Sequence, residues 1–90
     1  MTPVRYLAAR WKVAHESKRQ FAQRSMLPTQ TVYDALHGEP VTLRTAFYLV
    51  EASKEEPAPN GGTIGYEDLV TQAQRDERRA RRRLAPVASR

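Results

Sequence analysis

Apolar side chains in the first fifty residues recur at three- and four-residue steps, and each run stops at a residue suited to starting or ending a helix. Val4, Leu7, Ala8, Trp11 and Ala14 predict one buried face of a helix over residues 3–15, opened by a Thr2 cap and Pro3. Ser17 begins "SKRQ", in which Gln20 can reach back to the Ser17 amide as a capping box. A second helix then runs to about Ser25 and buries Phe21 and Ala22. Met26 and Leu27 form a turn, because Pro28 cannot lie inside an uninterrupted helix. The third helix runs from Pro28 or Thr29 to about His37, with Val32, Ala35 and Leu36 inward. Gly38 supplies the left-handed residue that ends it, and Pro40 blocks continuation. Thr42 caps a fourth helix whose stripe is Leu43, Ala46, Phe47, Leu49 and Val50.

Beyond that stripe the pattern loosens. "SKEEPAPNGGTIG" carries two Pro, three Gly and an Asn, and reads as a linker or exposed loop. From Tyr66 to about Leu84 the residues favour helix again, with a thin stripe of Leu69, Val70, Ala73, Ala80 and Leu84 broken by Asp76 and Glu77. No strand pattern and no internal repeat emerge. The expected fold class is all-α: a compact four-helix domain over residues 1–53, a linker or loop over 54–65, and a C-terminal helix with an Arg-rich tail over 66–90.

Charge sharpens this division. The formal net charge is +5. Residues 75–90 hold seven Arg against Asp76 and Glu77, whereas residues 54–74 hold Lys54 against Glu55, Glu56, Glu67 and Asp68. A basic balance favours polyanionic partners. Ninety residues suffice for one small domain with a modest core, not for an enzyme built around a deep pocket. No apolar run approaches the roughly 18 residues that span a bilayer. The N-terminus interleaves Arg and Lys with its apolar residues and so lacks a signal-peptide core, which argues for the cytoplasm. The chain has no cysteine, so thiolate metal sites and disulfides are excluded.

Two short helices around a tight turn fit a helix-turn-helix. Here "FAQRSMLPTQTVYDALHG" resembles the Cro and phage-repressor type, which includes the xenobiotic-response-element-type bacterial regulators. Phe21, Ala22, Val32 and Gly38 match that family in register, and "VTLRTAFYLVEA" is similar to its fourth helix. The likeness covers roughly residues 4–53 and implies a lambda-repressor-like fold. Met26 stands where the family usually has a turn glycine, and Pro28 where a small capping residue is common.

Physical reasoning supplies a reason for the pattern. Ala22 is small because the second and third helices cross there, and Val32 sits between them. Thr29, Gln30, Tyr33 and Asp34 then share the outer face, and an exposed helix N-terminus can enter the roughly 12 Å major groove. Gln30 can pair bidentately with adenine, Thr29 can meet a thymine methyl or a base edge, and Asp34 suits a cytosine amino group. Tyr33 can contact a base or a phosphate. Resemblance places these four at the family's base-reading positions and Lys18 at a phosphate-contacting one, with Ser17 and Gln20 beside it. Arg19 and Arg44 are further phosphate candidates, each also readable as an ordinary exposed charge; Arg24 reads as such a charge. Arg78 and Arg82 are phosphate candidates on the basic end, which reads alternatively as a disordered arm or as the surface of a dimerising helix.

Other residues carry less chemistry. His15 and His37 lie apart, so no metal site is expected, and His37 reads as a C-terminal cation or a phosphate contact. Trp11 reads as core. No catalytic arrangement and no cofactor loop stands out, so an enzyme is not expected. The expected function is a sequence-specific DNA-binding transcription regulator, a small phage- or mobile-element-type repressor acting as a homodimer on a palindromic operator in double-stranded DNA. The alternatives are an antitoxin-type autorepressor, with residues 66–90 binding a protein toxin, and an interaction adaptor that no longer reads DNA.

Overall fold

The chain is described by a computed structural model, which covers residues 1–72 and Ala80. Four α-helices make up most of it: α1 (Pro3–Ala14), α2 (Lys18–Arg24), α3 (Thr29–Leu36) and α4 (Leu43–Glu55). Short 3-10 turns follow at Pro59–Gly61 and Tyr66–Asp68. Among the described residues there is no strand, only isolated bridges between Val41 and Thr71 and between Ala58 and Gly62.

The helices start and stop where local chemistry dictates. Thr2 Oγ1 accepts from the Arg5 amide at 3.3 Å ahead of Pro3. Ser17 and Gln20 form the reciprocal capping box, at 3.1 and 2.8 Å. Thr42 Oγ1 accepts from the Thr45 amide at 3.1 Å. Each bond satisfies an amide that a helix N-terminus leaves without an internal partner. Gly38, at φ 77°, ends α3 as expected.

The face that α1 buries differs from the expected one. Pro3, Tyr6 and Leu7 are buried, whereas Val4 and Trp11 are 55% and 54% exposed and Ala8 and Ala14 are exposed. Trp11 is therefore not core. The buried stripe is turned by about 100°, one residue's rotation, from the purely apolar one. Tyr6 explains the difference. Its ring packs on Phe21 at 5.3 Å between centroids, and its hydroxyl donates to the Glu56 carbonyl at 2.5 Å and accepts from Arg24 at 2.8 Å. Left unpaired, that buried hydroxyl would cost about 1–3 kcal/mol; paired, it lets a large ring enter the core.

The same logic rotates α4. Ala46, Leu49, Val50, Ala52 and Ser53 are buried, while Leu43 and Phe47 of the expected stripe are 63% and 50% exposed. Ser53 goes inside because its hydroxyl donates to the Val50 carbonyl at 2.7 Å and accepts from the Ile64 amide at 2.9 Å. That second bond pins the loop after α4. Lys54 and Glu55 of the expected linker belong to α4, and Ala58 and Ile64 are core residues at 3% and 1% exposure. The segment is a packed loop.

Residues 66–71 are not the start of a long α-helix. Tyr66–Asp68 is a 3-10 turn, and Leu69 is extended at φ −118°, ψ 146°. Val41 donates to the Val70 carbonyl at 2.8 Å and accepts from the Gln72 amide at 2.9 Å. Leu69, 5% exposed, joins the core that Phe21, Val32, Leu49 and Ile64 also build. Burial of a leucine, worth about 1.5–3 kcal/mol, outweighs the few tenths per residue by which this segment favours helix. Of the rest of the expected C-terminal helix and tail, residues 73–79 and 81–90 lie outside the described residues.

Candidate nucleic-acid interface

The connection from α2 to α3 is a tight backbone motif. The Leu27 amide bonds the Ala22 carbonyl at 3.0 Å and the Met26 amide bonds the Gln23 carbonyl at 3.1 Å, with Met26 at φ 60°. These two bonds and the left-handed residue between them define a Schellman ending. Pro28 then stands as the extended N-cap of α3, at φ −61° and ψ 145°, and no side chain caps that helix. Ala22 and Val32, each 1% exposed, fill the contact between α2 and α3.

With Val32 and Ala35 turned inward, period alone sends the next residues outward. Gln30 and Tyr33 are exposed; Thr29 and Asp34 are half-buried. The four share the N-terminal half of α3, whose first turn carries no acid. Gln30 Nε2 donates to Asp34 Oδ1 at 3.0 Å, leaving its carbonyl oxygen and second amide hydrogen for an outside partner. Lys18, at the start of α2, holds its ammonium 5.5 Å from the Tyr33 ring centroid, so these two candidates meet across the helix pair.

The remaining candidates occupy different settings. Ser17 Oγ and Gln20 Oε1 serve the capping box, which leaves the Ser17 hydroxyl hydrogen and the Gln20 amide hydrogens as donors. Arg19 is exposed beside Lys18. Arg44 folds over Tyr48, 5.7 Å from the ring, with two contacts of 3.4 Å to the Tyr48 hydroxyl. His37 ends α3 with Nδ1 2.7 Å from the Tyr33 carbonyl, so Nδ1 carries the donated hydrogen and Nε2 stays open. Arg78 and Arg82 lie outside the described residues.

Arg24 is no ordinary exposed charge. It donates from Nε and Nη2 to the two Glu16 oxygens, from Nη2 also to the Tyr6 hydroxyl, and from Nη1 to the Ala52 carbonyl. Arg10 Nε adds a 3.4 Å contact to Glu16. Burial pushes the Glu16 carboxyl up, but hydrogen bonds and charge from Arg24, then Arg10, outweigh it and hold the group below the ordinary carboxylate value. Glu16, the acid nearest to Lys18 in sequence, is thus engaged by Arg24 and Arg10, and Lys18 and Arg19 form no ion pair among the described residues. Sequence reasoning missed the cluster because its members come from α1, the α1–α2 connection, α2 and α4. The turn at Met26 and Leu27 stands where the sequence places it, and the structure adds that Met26 takes the left-handed conformation there, at φ 60°.

Between α1 and the α2–α3 pair runs a groove of about 720 Å³, walled by Val4, Ala8, Trp11 and Leu36 and bordered by Lys18 and Tyr33. Among the described residues no three His, Asp or Glu are grouped to hold a metal ion, and no helix is long and apolar enough to cross a membrane. Comparison with protein-family models, with curated proteins and with solved structures returns no match.

Proposed function

We propose that this chain is a sequence-specific DNA-binding transcription regulator of the Cro and phage-repressor type, with α2 and α3 as its helix-turn-helix. The observation that carries the reading is the outward, uncapped N-terminal half of α3. It presents Thr29, Gln30, Tyr33 and Asp34 beside Lys18, which forms no ion pair among the described residues. In the major groove, Gln30 offers the acceptor and donor that adenine requires. Asp34 holds the Gln30 amide in place and so acts on the same base through it. Thr29 faces a neighbouring base edge. Lys18 and Arg19 take phosphates, joined by Ser17, Gln20 and Arg44, which fixes where α3 enters without adding sequence information.

One such helix reads only a few base pairs. A homodimer with half-sites about one helical turn, roughly 34–36 Å, apart doubles the read length, so the operator is a palindrome. Occupancy of a promoter by that dimer represses transcription in the cytoplasm. Selection of bound sites from a random DNA pool tests the whole reading. A palindromic motif with one Gln30-dependent A·T position in each half-site is the expected result. Equal retention of all sequences, falling together as salt rises, would reduce the protein to a non-specific polyanion binder.

A further inference from the structure

We propose that the groove between α1 and the α2–α3 pair is a docking site for an acidic amphipathic helix of a partner protein. Val4, Ala8 and Trp11 follow one another at helical steps of four and three on the face that α1 turns away from the core. Val4 and Trp11 are more than half exposed, and Leu36 of α3 closes the far wall. From Val4 to Trp11 the wall runs about 10 Å, the length over which two turns of a partner helix present residues of their own at matching steps. An apolar patch of this kind, rimmed by charge, marks an interaction surface.

The rim selects the partner's sign. Lys18 and Arg19, which line the groove, form no ion pair among the described residues. The acid at this edge, Glu16, is already held by Arg24 and Arg10. A second copy of the chain, docked through the same face across a two-fold axis, would bring these cations against their own kind. An acidic helix neutralises them while its apolar residues cover Trp11. A helix seated there also meets Lys18 and Tyr33, so it would displace DNA. That consequence rests on the proposed function; the docking itself does not.

The test is selection from a random-peptide display library on the full chain, with the enriched peptides then titrated on the chain and on Ala8→Glu, which places an acid on an exposed wall position. Val4→Glu serves in its place if Ala8→Glu lowers the melting temperature. Enriched peptides should carry net negative charge with large apolar residues at helical spacing. They should bind the substituted protein at least tenfold more weakly, and shift the emission of Trp11, the chain's one tryptophan, to the blue. Enrichment of neutral or basic peptides, or equal binding to the substituted protein, would overturn the proposal. A concentration-dependent blue shift without peptide, tracking dimer in sedimentation, would assign the groove to a second copy. Emission already blue-shifted and insensitive to iodide at low concentration would mean the chain's own residues cover it. Failure to bind DNA would leave all these readouts intact.

Discussion

Arg24 meets Glu16 through two parallel hydrogen bonds of 2.9 Å, one from Nε and one from Nη2, each to a different carboxylate oxygen. The pair joins the last turn of α2 to the residue just ahead of the α2 cap, and Arg24 extends the tie to Tyr6 of α1 and Ala52 of α4. Both side chains are largely shielded, at 19% and 12% exposure, so the pair is more than a surface contact.

Replacing Arg24 by Met should therefore destabilise the protein by about 2 kcal/mol, because Glu16 loses its principal partner while remaining shielded. Acid should have a related effect. The Glu16 carboxyl is held below its ordinary value of 4.5, so its stabilisation is present above that value and is lost as pH falls through the lower folded-state value. Chemical denaturation from pH 7 down to pH 3 should show a fall that is shallower in Glu16→Gln. An unchanged pH profile in that variant would remove Glu16 from the acid response.

Met26 and Gly38 close α2 and α3 with the same pair of backbone bonds, since Glu39 bonds the Asp34 carbonyl at 2.9 Å and Gly38 the Ala35 carbonyl at 3.2 Å. Only Gly38 adopts its left-handed φ without steric cost. Met26 is 83% exposed and gives up no packing. Met26→Gly should stabilise by about 0.5–1 kcal/mol, and Gly38→Ala should destabilise by about 1 kcal/mol. Thermal melts of the two variants should move in opposite directions.

Ala22 lies in the contact between α2 and α3 at 1% exposure. A leucine there must push the helices apart or displace Val32, which should cost about 1–3 kcal/mol. DNA binding should suffer beyond what the lost stability explains, because Lys18 on α2 and Tyr33 on α3 would separate. A gel-shift titration at a temperature where the variant is folded checks this. Retained affinity would mean that the helix spacing does not govern binding.

Gln30 and Lys18 should fail differently. Gln30→Ala should weaken the preferred site by about 1–3 kcal/mol and relax one base position. Asp34→Ala should relax the same position through the freed Gln30 amide. Lys18→Ala should weaken all sequences alike and reduce the slope of log affinity against log salt by about one. Titrations on operator and random DNA at several salt concentrations separate the patterns. A uniform loss for Gln30→Ala would exclude it from base reading.

The shared outer face of Thr29, Gln30, Tyr33 and Asp34 was legible in the sequence because it follows from the inward turn of Val32 and Ala35 on one short helix. The contact of Lys18 with Tyr33 was not, since it depends on how α2 and α3 pack. Nor was the groove, which exists only because Trp11 and Val4 face outward.

What the sequence determined by itself are the features made within about five residues: the caps at Thr2, Ser17–Gln20 and Thr42, the stop at Gly38, and hence the four helices. Tertiary structure decided which face of each helix goes inside. Tyr6 and Ser53 are buried because distant groups, the Glu56 carbonyl and the Ile64 amide among them, satisfy their hydroxyls, and Trp11 and Phe47 are left outside in consequence. It also drew Leu69 into the core in extended form against Val41, and set Arg24 against Glu16. A cap is a bond between near neighbours and can be read along the chain. The cost of burying a hydroxyl or a charge depends on partners that only the folded chain brings within reach.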